Sequence, residues 1–256
     1  MSVDPTQRFS SRVEDYIRYR PSYPAEVIAL LERECGLTAK ARVADIGCGT
    51  GLLAERFLRL GCEVDGVEPN AEMRAAGQRL LADWPRFHSV AGRAEATTLA
   101  DCSADLVSAA QAFHWFDPDA ARSEFLRILK PRGWVALVWN ERLCLPGFNA
   151  GYEDLVTRYG PERPPVATGE LDHFFGVHGW RLARFPNQQH FDREGLRGRF
   201  LSSSYAPLPG AANYQPLMQE LDGLFDEFQR DGRVTLLYTT EVYIGRLELA
   251  DQAGCR

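Results

Sequence analysis

An acid and three glycines follow a short apolar segment of the sequence. Asp45 stands two residues before Gly47, and Gly49 and Gly51 follow at alternate positions. Glycines let a backbone approach a ligand closely, and the helix expected after them would present free N–H groups at its first turn. Asp45 is a poor neighbour for a pyrophosphate but suits a ligand that carries positive charge. These residues are therefore a candidate ligand-binding loop.

The spacing of the glycines differs from that of two common nucleotide-binding loops. A dinucleotide loop of the form GxGxxG would need its third glycine at position 52, which is Leu52, and this disfavours a nicotinamide-dependent dehydrogenase. The Gly-Lys-Ser or Gly-Lys-Thr of a Walker loop is absent from the sequence. Glu68 lies 17 residues beyond Gly51, at the predicted end of the next strand. A carboxylate at that place can accept hydrogen bonds from both hydroxyls of a ribose.

Alternating strand-like and helical segments position these residues. Short apolar runs predict strands at residues 42–46, 63–67, 87–91, 105–110 and 134–139, with helical patterns between them. Strands that are joined by helices of about 10–15 residues indicate right-handed crossovers and a parallel sheet covered on both faces. Residues 143–176 resist assignment. Two further strands, at 181–191 and 234–246, can only add to the far edge of the sheet, with helices at 193–203 and 214–230 lying across its top.

Composition and charge exclude several functional classes. The 256 residues are 45% hydrophobic and 25% charged, which is typical of a globular protein and not of a disordered one. The net charge of −6 argues against nonspecific affinity for nucleic acid or for an anionic membrane. The N-terminus lacks the features of a signal peptide, and the longest apolar run, residues 134–139, is far shorter than the roughly 20 residues that span a bilayer. We therefore expect a soluble, cytoplasmic protein that binds neither nucleic acid nor membrane.

The cysteines are spaced too widely to indicate a metal site. The six cysteines include no C-x-x-C pair, and no two of them lie closer than 13 positions. Structural zinc sites usually draw ligands from such closely spaced pairs, so no metal is predicted. In a reducing compartment the cysteines are expected to be free thiols.

Several motifs, taken together, resemble one family. The loop that runs from Asp45 to Gly51, with Glu68 after it, is similar to the cofactor site of the class I S-adenosylmethionine (SAM)-dependent methyltransferases. Segments 94–95, 111–116 and 129–133 match the family's later motifs in order. The segments YIRYRPSYP (residues 16–24) and SSSY (residues 202–205) resemble the small-molecule branch, methyltransferase type 11, which includes trans-aconitate-methyltransferase-like enzymes.

The resemblance implies that the chain binds SAM, releases S-adenosylhomocysteine and needs no metal. Glu68 would hold the ribose, and Glu95 would face the adenine amino group. Asp45 would lie near the ammonium group of SAM, and Tyr16 and Arg20 would meet its carboxylate. The residues that the resemblance places around SAM are Tyr16, Arg20, Asp45, Gly47, Cys48, Gly49, Gly51, Glu68, Pro69, Met73, Ala94, Glu95 and Gln111.

A second group of residues concerns the methyl acceptor. His114 follows the fourth predicted strand, at the crevice where open α/β sheets bind ligands, and it is the candidate catalytic residue. It would serve as a base for a phenol, amine or carbon acid, whereas a carboxylate acceptor needs no base. Trp115, Trp139 and Tyr205 are candidates for the substrate pocket, although each is also compatible with a packing role. The Asn/Asp-Pro-Pro-Tyr/Phe motif of many nucleic-acid and protein methyltransferases is replaced by Ala-Ala-Gln-Ala at residues 109–112, which favours a small-molecule acceptor.

The resemblance also implies a fold and a division of the chain. The fold would be α/β, with a Rossmann-like, seven-stranded, mostly parallel sheet, helices on both faces, an antiparallel edge strand and a helical C-terminal insertion as a lid. Residues 1–24 would form an N-terminal lid segment, 25–142 the SAM-binding core, and 143–256 the substrate-side insertion and the last two strands. We expect a monomer or homodimer. The alternative function is a non-catalytic SAM-binding regulatory or scaffold protein.

The sequence of the N-terminal lid segment bears on whether this segment is ordered before SAM binds. Residues 9–23 contain four aromatic residues that such a segment cannot bury by itself. We therefore expect SAM to order the segment and to close the pocket from water. The alternative is a segment that is docked permanently on the sheet.

Overall fold

One sheet with helices around it makes up residues 13–160, 168–203 and 206–247, which are the residues that this computed structural model describes. The strands are β1 (Arg42–Ile46), β2 (Glu63–Val67), β3 (Phe87–Val90), β4 (Ala104–Ala110), β5 (Leu129–Arg142), β6 (Trp180–Phe191) and β7 (Val234–Gly245). The helices are α1 (Val13–Tyr19), α2 (Ala25–Cys35), α3 (Ala54–Leu60), α4 (Ala71–Leu80), α5 (Pro118–Ile128), α6 (Phe148–Tyr159), α7 (Thr168–Phe175), α8 (Arg193–Leu201) and α9 (Tyr214–Phe228).

The sheet has seven strands in the order β3-β2-β1-β4-β5-β7-β6 within the described residues. Strands β1 to β5 pair in parallel, and β7 pairs antiparallel with both β5 and β6. The edge strand β6 is thus antiparallel to its neighbour. This confirms the predicted Rossmann-like architecture, including the placement of the last two strands beyond the fifth.

Local signals explain where several helices begin and end. The side chain of Asn70 accepts hydrogen bonds from the N–H groups of Glu72 and Met73, so it caps α4 as its residue type predicts. Helix α2 follows Pro24 and ends at Gly36, which adopts a left-handed conformation and returns its N–H to the Leu31 carbonyl. These ends determine which residues emerge at the carboxyl edge of the sheet.

Apolar side chains form a core on each face of the sheet and a third cluster beside it. Helices α2 and α3 cover one face, where Leu31 and Phe57 pack against Val43 of β1. Helices α5 and α7 cover the opposite face, where Phe125 and Phe174 are fully buried. Helices α6, α8 and α9 pack with the first half of β7 in the third cluster. The helices of the C-terminal third therefore have a core of their own.

Two segments differ from the sequence-based expectations. Strand β5 begins at Leu129 and not at residue 134, because Leu129 pairs with Ala104 across an irregularity in the ladder. Its Pro131 and Gly133 suggested a turn, but the sheet continues on both sides of them. Helices α6 and α7 occupy the stretch that resisted assignment. Their apolar sides face tertiary partners, and the glycines and prolines around them obscure the helical period.

The cysteines follow the prediction in part. Cys35, Cys48, Cys62 and Cys144 are free. Cys102 is disulfide-bonded, so the prediction of a free thiol is wrong for this residue. Spacing along the chain does not reveal which cysteines come within bonding distance in the fold.

Among the described residues no helix is long and apolar enough to cross a membrane.

Candidate active site

The glycine loop between β1 and α3 is closely packed against its surroundings. Gly47, Gly49 and Gly51 all have positive φ angles, of 68°, 58° and 90°. A Cβ atom on Gly47 would lie 2.6 Å from the Cβ of Ala112, and one on Gly51 would lie 2.4 Å from Cδ1 of Leu81. At Gly47 and Gly51 any larger residue would therefore combine an unfavourable backbone conformation with a steric overlap, whereas at Gly49 only the backbone conformation opposes a side chain. The structure accounts for the glycines that the sequence singles out.

Asp45 lies at the end of β1, where its side chain is only 1% exposed. The hydroxyl of Ser108, which pairs with Asp45 across the β1–β4 ladder, donates to Oδ1 at 2.7 Å. Burial raises the pKa of the Asp45 carboxyl to about 6, and hydrogen bonds from Ser108, Cys48 and the first residue of α3 partly oppose that rise. Ser108 is a site residue that the sequence analysis missed. The signal that the sequence offered was a polar residue within an otherwise apolar stretch of β4.

Glu68 joins the loop to the end of β2. Its Oε2 accepts a hydrogen bond from the Gly49 N–H at 2.9 Å, and its Oε1 accepts one from the Asn70 N–H at 2.8 Å. Burial raises the pKa of this carboxyl, while these two hydrogen bonds and the charge of Arg74 act in the opposite direction. Each carboxylate oxygen retains a second lone pair that can accept from a hydroxyl group. The side chain therefore suits a ligand with two adjacent hydroxyls.

Helix α1 covers the loop. The hydroxyl oxygen of Tyr16 lies 3.9 Å from the position of a Cβ on Gly49. The guanidinium of Arg20 lies 5.0 Å from the centre of the Tyr16 ring, and its Nη2 donates to the Ser202 carbonyl at 3.0 Å. Burial raises the pKa of Tyr16, with Glu68 among the charges around it. Arg20 and Glu68 thus both lie near Tyr16, and the SAM contacts implied for them stay predictions.

The structure places the residues implied for the adenine in different environments. The methyl carbon of Met73 lies 3.4 Å from the position of a Cβ on Gly49. Pro69 is exposed, and Ala94 is buried. Glu95 accepts the Asp117 N–H at 3.0 Å, so its carboxylate also supports the start of α5. No ligand contact of these residues is tested, and their roles stay predictions.

The end of β4 turns sharply at Gln111. This residue has a positive φ of 53°, and its Nε2 donates to the Asn140 carbonyl at the end of β5 at 3.2 Å. His114 follows in a short 3-10 helix, Phe113–Trp115, with its ring 4.9 Å from that of Trp115. His114 is half-buried and Trp115 is 37% exposed. Both can therefore meet a molecule that approaches this edge.

The other two candidates for the substrate pocket have different surroundings. Trp139 is 5% exposed and packs edge-to-face against Phe113 and Tyr243, at 6.2 and 5.5 Å between ring centres. The structure therefore gives Trp139 a packing position in the core beneath α5 and α7. Tyr205 lies outside the described residues. Within those residues no group of three or more His, Cys, Asp or Glu side chains could hold a metal ion.

Comparisons with known proteins agree with this geometry. A family model for a methyltransferase domain matches residues 44–137. The chain is 44% identical over 169 residues to an uncharacterized methyltransferase of Mycobacterium tuberculosis (strain ATCC 25618 / H37Rv), a match that covers 65% of this chain and 66% of the relative. It is 37% identical over 222 residues to the malonyl-[acyl-carrier protein] O-methyltransferase of Enterobacter lignolyticus (strain SCF1), which covers 84% of this chain and 77% of the relative.

Solved structures share the fold. A protein of Anaeromyxobacter dehalogenans described as a type II methyltransferase superimposes with a TM-score of 0.64 at 21% identity, over 89% of this chain and 98% of that one. At this identity the likeness concerns the fold alone. The assignment to a family rests on the glycine loop, the carboxylate of Glu68 and the sequence relatives. The chain belongs to the class I family of SAM-dependent methyltransferases.

Proposed function

We propose that this protein transfers a methyl group from SAM to an oxygen atom of a small-molecule acceptor. The observation that carries SAM binding is the closure of the glycine loop on Glu68, beneath the hydroxyl of Tyr16. The 37% identical relative is named as an O-methyltransferase, which supports oxygen as the nucleophile. The net charge of −6 favours a small molecule over a nucleic acid as the acceptor.

Residues of this chain would bind and orient the cofactor. When bound, SAM supplies a methyl group on a positively charged sulfur, which a nucleophile can attack directly. The second lone pairs of the Glu68 oxygens would accept the ribose hydroxyls. The guanidinium of Arg20 would bind the carboxylate of the amino-acid part of SAM. The carboxylate of Asp45 would lie near the ammonium group of the same part. Helix α1 would exclude water from this side of the site.

His114 would act on the acceptor. A phenolic or alcoholic hydroxyl must lose its proton on methylation, and a neutral imidazole can accept that proton. A carboxylate carries no such proton. We therefore expect His114→Ala to lower kcat by about 10²–10⁴-fold with a hydroxyl acceptor and to leave kcat nearly unchanged with a carboxylate. Binding of S-adenosylhomocysteine should not change in either case, and a large loss of that binding would contradict the assignment.

Two measurements test the proposal. Calorimetry should show binding of S-adenosylhomocysteine, with NADH as a control that gives no heat. Release of S-adenosylhomocysteine from SAM should then be measured against carboxylic acids, phenols, alcohols and amines. Binding without turnover on any acceptor would favour the alternative, a non-catalytic SAM-binding regulatory or scaffold protein. No binding of either SAM or S-adenosylhomocysteine would overturn the proposal. A cytoplasmic location and a monomeric or homodimeric state are part of the same proposal and need fractionation and light scattering.

A further inference from the structure

Two amide side chains of the edge strand β6 reach the segment that covers the glycine loop. Asn187 Nδ2 donates to the Ser22 carbonyl at 2.8 Å, and Gln189 Nε2 donates to the Tyr19 carbonyl at 3.0 Å. Successive side chains of a strand alternate between its faces, so residues two apart lie on the same face. The two amides are thus spaced to hold two backbone carbonyls of residues 19–22. We call Asn187 and Gln189 the amide pair.

Neighbouring groups orient both amides. The Oδ1 of Asn187 accepts the Gln188 N–H at 2.8 Å, which leaves Nδ2 directed at Ser22. The Oε1 of Gln189 accepts the Tyr238 hydroxyl at 2.9 Å, and that hydroxyl accepts from Nε of the buried Arg199 at 3.1 Å. In each amide the oxygen accepts from a donor of β6 or β7, and an N–H donor faces the N-terminal segment.

A chain of buried hydrogen bonds runs from Asn187 across the sheet. Thr240 of β7 pairs with Asn140 of β5 and donates to its Oδ1, and Asn187 Nδ2 lies 3.1 Å from the same oxygen. Asn140 and Thr240 are 8% and 0% exposed, on a face where Val138 of β5 and Val242 of β7 belong to the apolar core. The Asn140 carbonyl accepts from Gln111, which begins the loop that carries His114. Buried polar groups are stable only when they are hydrogen-bonded. The groups that hydrogen-bond to Asn140 belong to segments that border the site.

The amide pair therefore connects the C-terminal third of the chain with the cofactor cover. We propose that Asn187 and Gln189 are positioning residues that hold residues 19–22, and through them Tyr16 and Arg20, over the glycine loop. Neither amide is expected to touch SAM. This inference rests on the proposed function, because it assigns Tyr16 and Arg20 to SAM binding. It implies that the edge strand β6, in the C-terminal third of the chain, contributes to the affinity for the cofactor.

The test compares Asn187→Ala and Gln189→Ala with Gln188→Ala. Gln188 lies between the two, is exposed and points to the other face, so it is a matched control. Each of the two variants loses a hydrogen bond to a neutral carbonyl, which should raise the Kd for S-adenosylhomocysteine by roughly 3- to 10-fold. Hydrogen exchange of residues 16–22 should accelerate without ligand, while residues 43–46 keep their protection. Gln188→Ala should match the parent in both measurements.

A double-variant cycle separates positioning from general destabilisation. If the amide pair acts through Arg20, then Asn187→Ala should add little further loss of affinity in the Arg20→Ala background, whereas unrelated effects would add. The proposal is overturned if the parent binds S-adenosylhomocysteine and both alanine variants bind within twofold of it. If the parent does not bind the ligand, the proposed function fails, and exchange in residues 16–22 still decides whether the amide pair holds the segment. Should Asn187→Ala unfold, Gln189→Ala carries the same measurements.

Discussion

At the scale of single residues, Glu68 is the most specific determinant of the proposed SAM site. Glu68→Gln keeps one acceptor oxygen and the shape of the side chain but removes the charge. We expect the affinity for S-adenosylhomocysteine to fall by roughly 1.5–3 kcal/mol, the scale for hydrogen bonds to a charged group. Calorimetry gives the affinity. Glu72→Ala, an exposed acid in the first turn of α4, is the matched control and should bind like the parent. An unchanged affinity in Glu68→Gln would remove Glu68 from the ribose site.

The buried carboxyl of Asp45 should make stability depend on pH. Its pKa is raised to about 6 in the folded protein, so between about pH 4 and pH 6 the folded state holds a proton that the unfolded state has released. The free energy of unfolding should therefore decrease as the pH rises through this window, by about 1.4 kcal/mol per unit of pKa difference. Asp45→Asn cannot titrate and should lack this slope.

Denaturant unfolding of the parent and of Asp45→Asn at pH 4, 5, 6 and 7 measures the effect. The free energy of unfolding of Asp45→Asn should differ from that of the parent by a constant amount, because its hydrogen bonding to Ser108 is altered. Only the difference between the two proteins in the pH dependence of this free energy reports the titration of Asp45. Parallel stability curves for the two proteins would show that Asp45 keeps an ordinary pKa.

At the scale of elements, the position of α1 depends on its packing against α8. A Cβ on Gly198 would lie 2.0 Å from Cε2 of Tyr19, so α8 can approach α1 only because this residue has no side chain. Gly198→Ala should lower the free energy of unfolding by about 1–3 kcal/mol through overpacking. The displaced Tyr19 would also carry Tyr16 away from the loop, so the affinity for S-adenosylhomocysteine should fall.

Gly223 is the matched control for that substitution. It lies in α9, and a Cβ there would meet nothing within 4 Å. Gly223→Ala should therefore stabilise the protein by about 0.4–1 kcal/mol, because alanine restricts the unfolded chain. Thermal melts and calorimetry of both variants decide the matter. If Gly198→Ala behaves like Gly223→Ala, the α1–α8 contact does not position the cover.

The contacts of α1 also bear on whether SAM orders the N-terminal segment. Glu14 pairs with Arg79 of α4 at 3.1 Å, and Arg20 donates to the Ser202 carbonyl. Tyr19 and Tyr23 are 9% and 5% exposed. These contacts favour the alternative of a docked cap for residues 13–23, while residues 9–12 lie outside the described residues. Hydrogen exchange with and without S-adenosylhomocysteine remains the deciding measurement.

At the scale of the whole molecule, ligand binding should be visible as global stabilisation. A ligand that binds only the folded state at 100 times its Kd adds about 2.7 kcal/mol. For a chain of this size that corresponds to an increase in Tm of roughly 5–10 °C. Differential scanning fluorimetry with S-adenosylhomocysteine should show the increase, and NADH should show none. Equal shifts with both ligands would point to a less selective nucleotide site.

Two of the three predicted regions, 25–142 and 143–256, share one sheet. Val242 and Ile244, from the C-terminal region, are buried in the same cluster as Val43 and Val64 of the core. The helices α6, α8 and α9 form a separate cluster of buried apolar residues with the first half of β7. The division at residues 24 and 142 stays a prediction.

Local patterns in the sequence were enough for the elements around the cofactor loop. The bounds predicted for β1 and β2, the cap at Asn70 and the glycine loop all agree with the structure, because periodicity, caps and glycine conformations act over a few residues. Glu68 could be placed for the same reason, since it follows a strand end.

Only the tertiary structure decided the contacts that join distant parts of the chain. Asn140, Thr240 and Asn187 meet through the register of the antiparallel pairs β5–β7 and β6–β7, with Asn140 and Thr240 100 positions apart. Trp139 lies in the core because the pleat of β5 directs it to the face that α5 and α7 cover. Such contacts depend on which strands pair and in what register, and a shift of one residue would exchange the two faces of a strand. The sequence therefore determined the family, the loop and its carboxylate, whereas the fold decided what covers them.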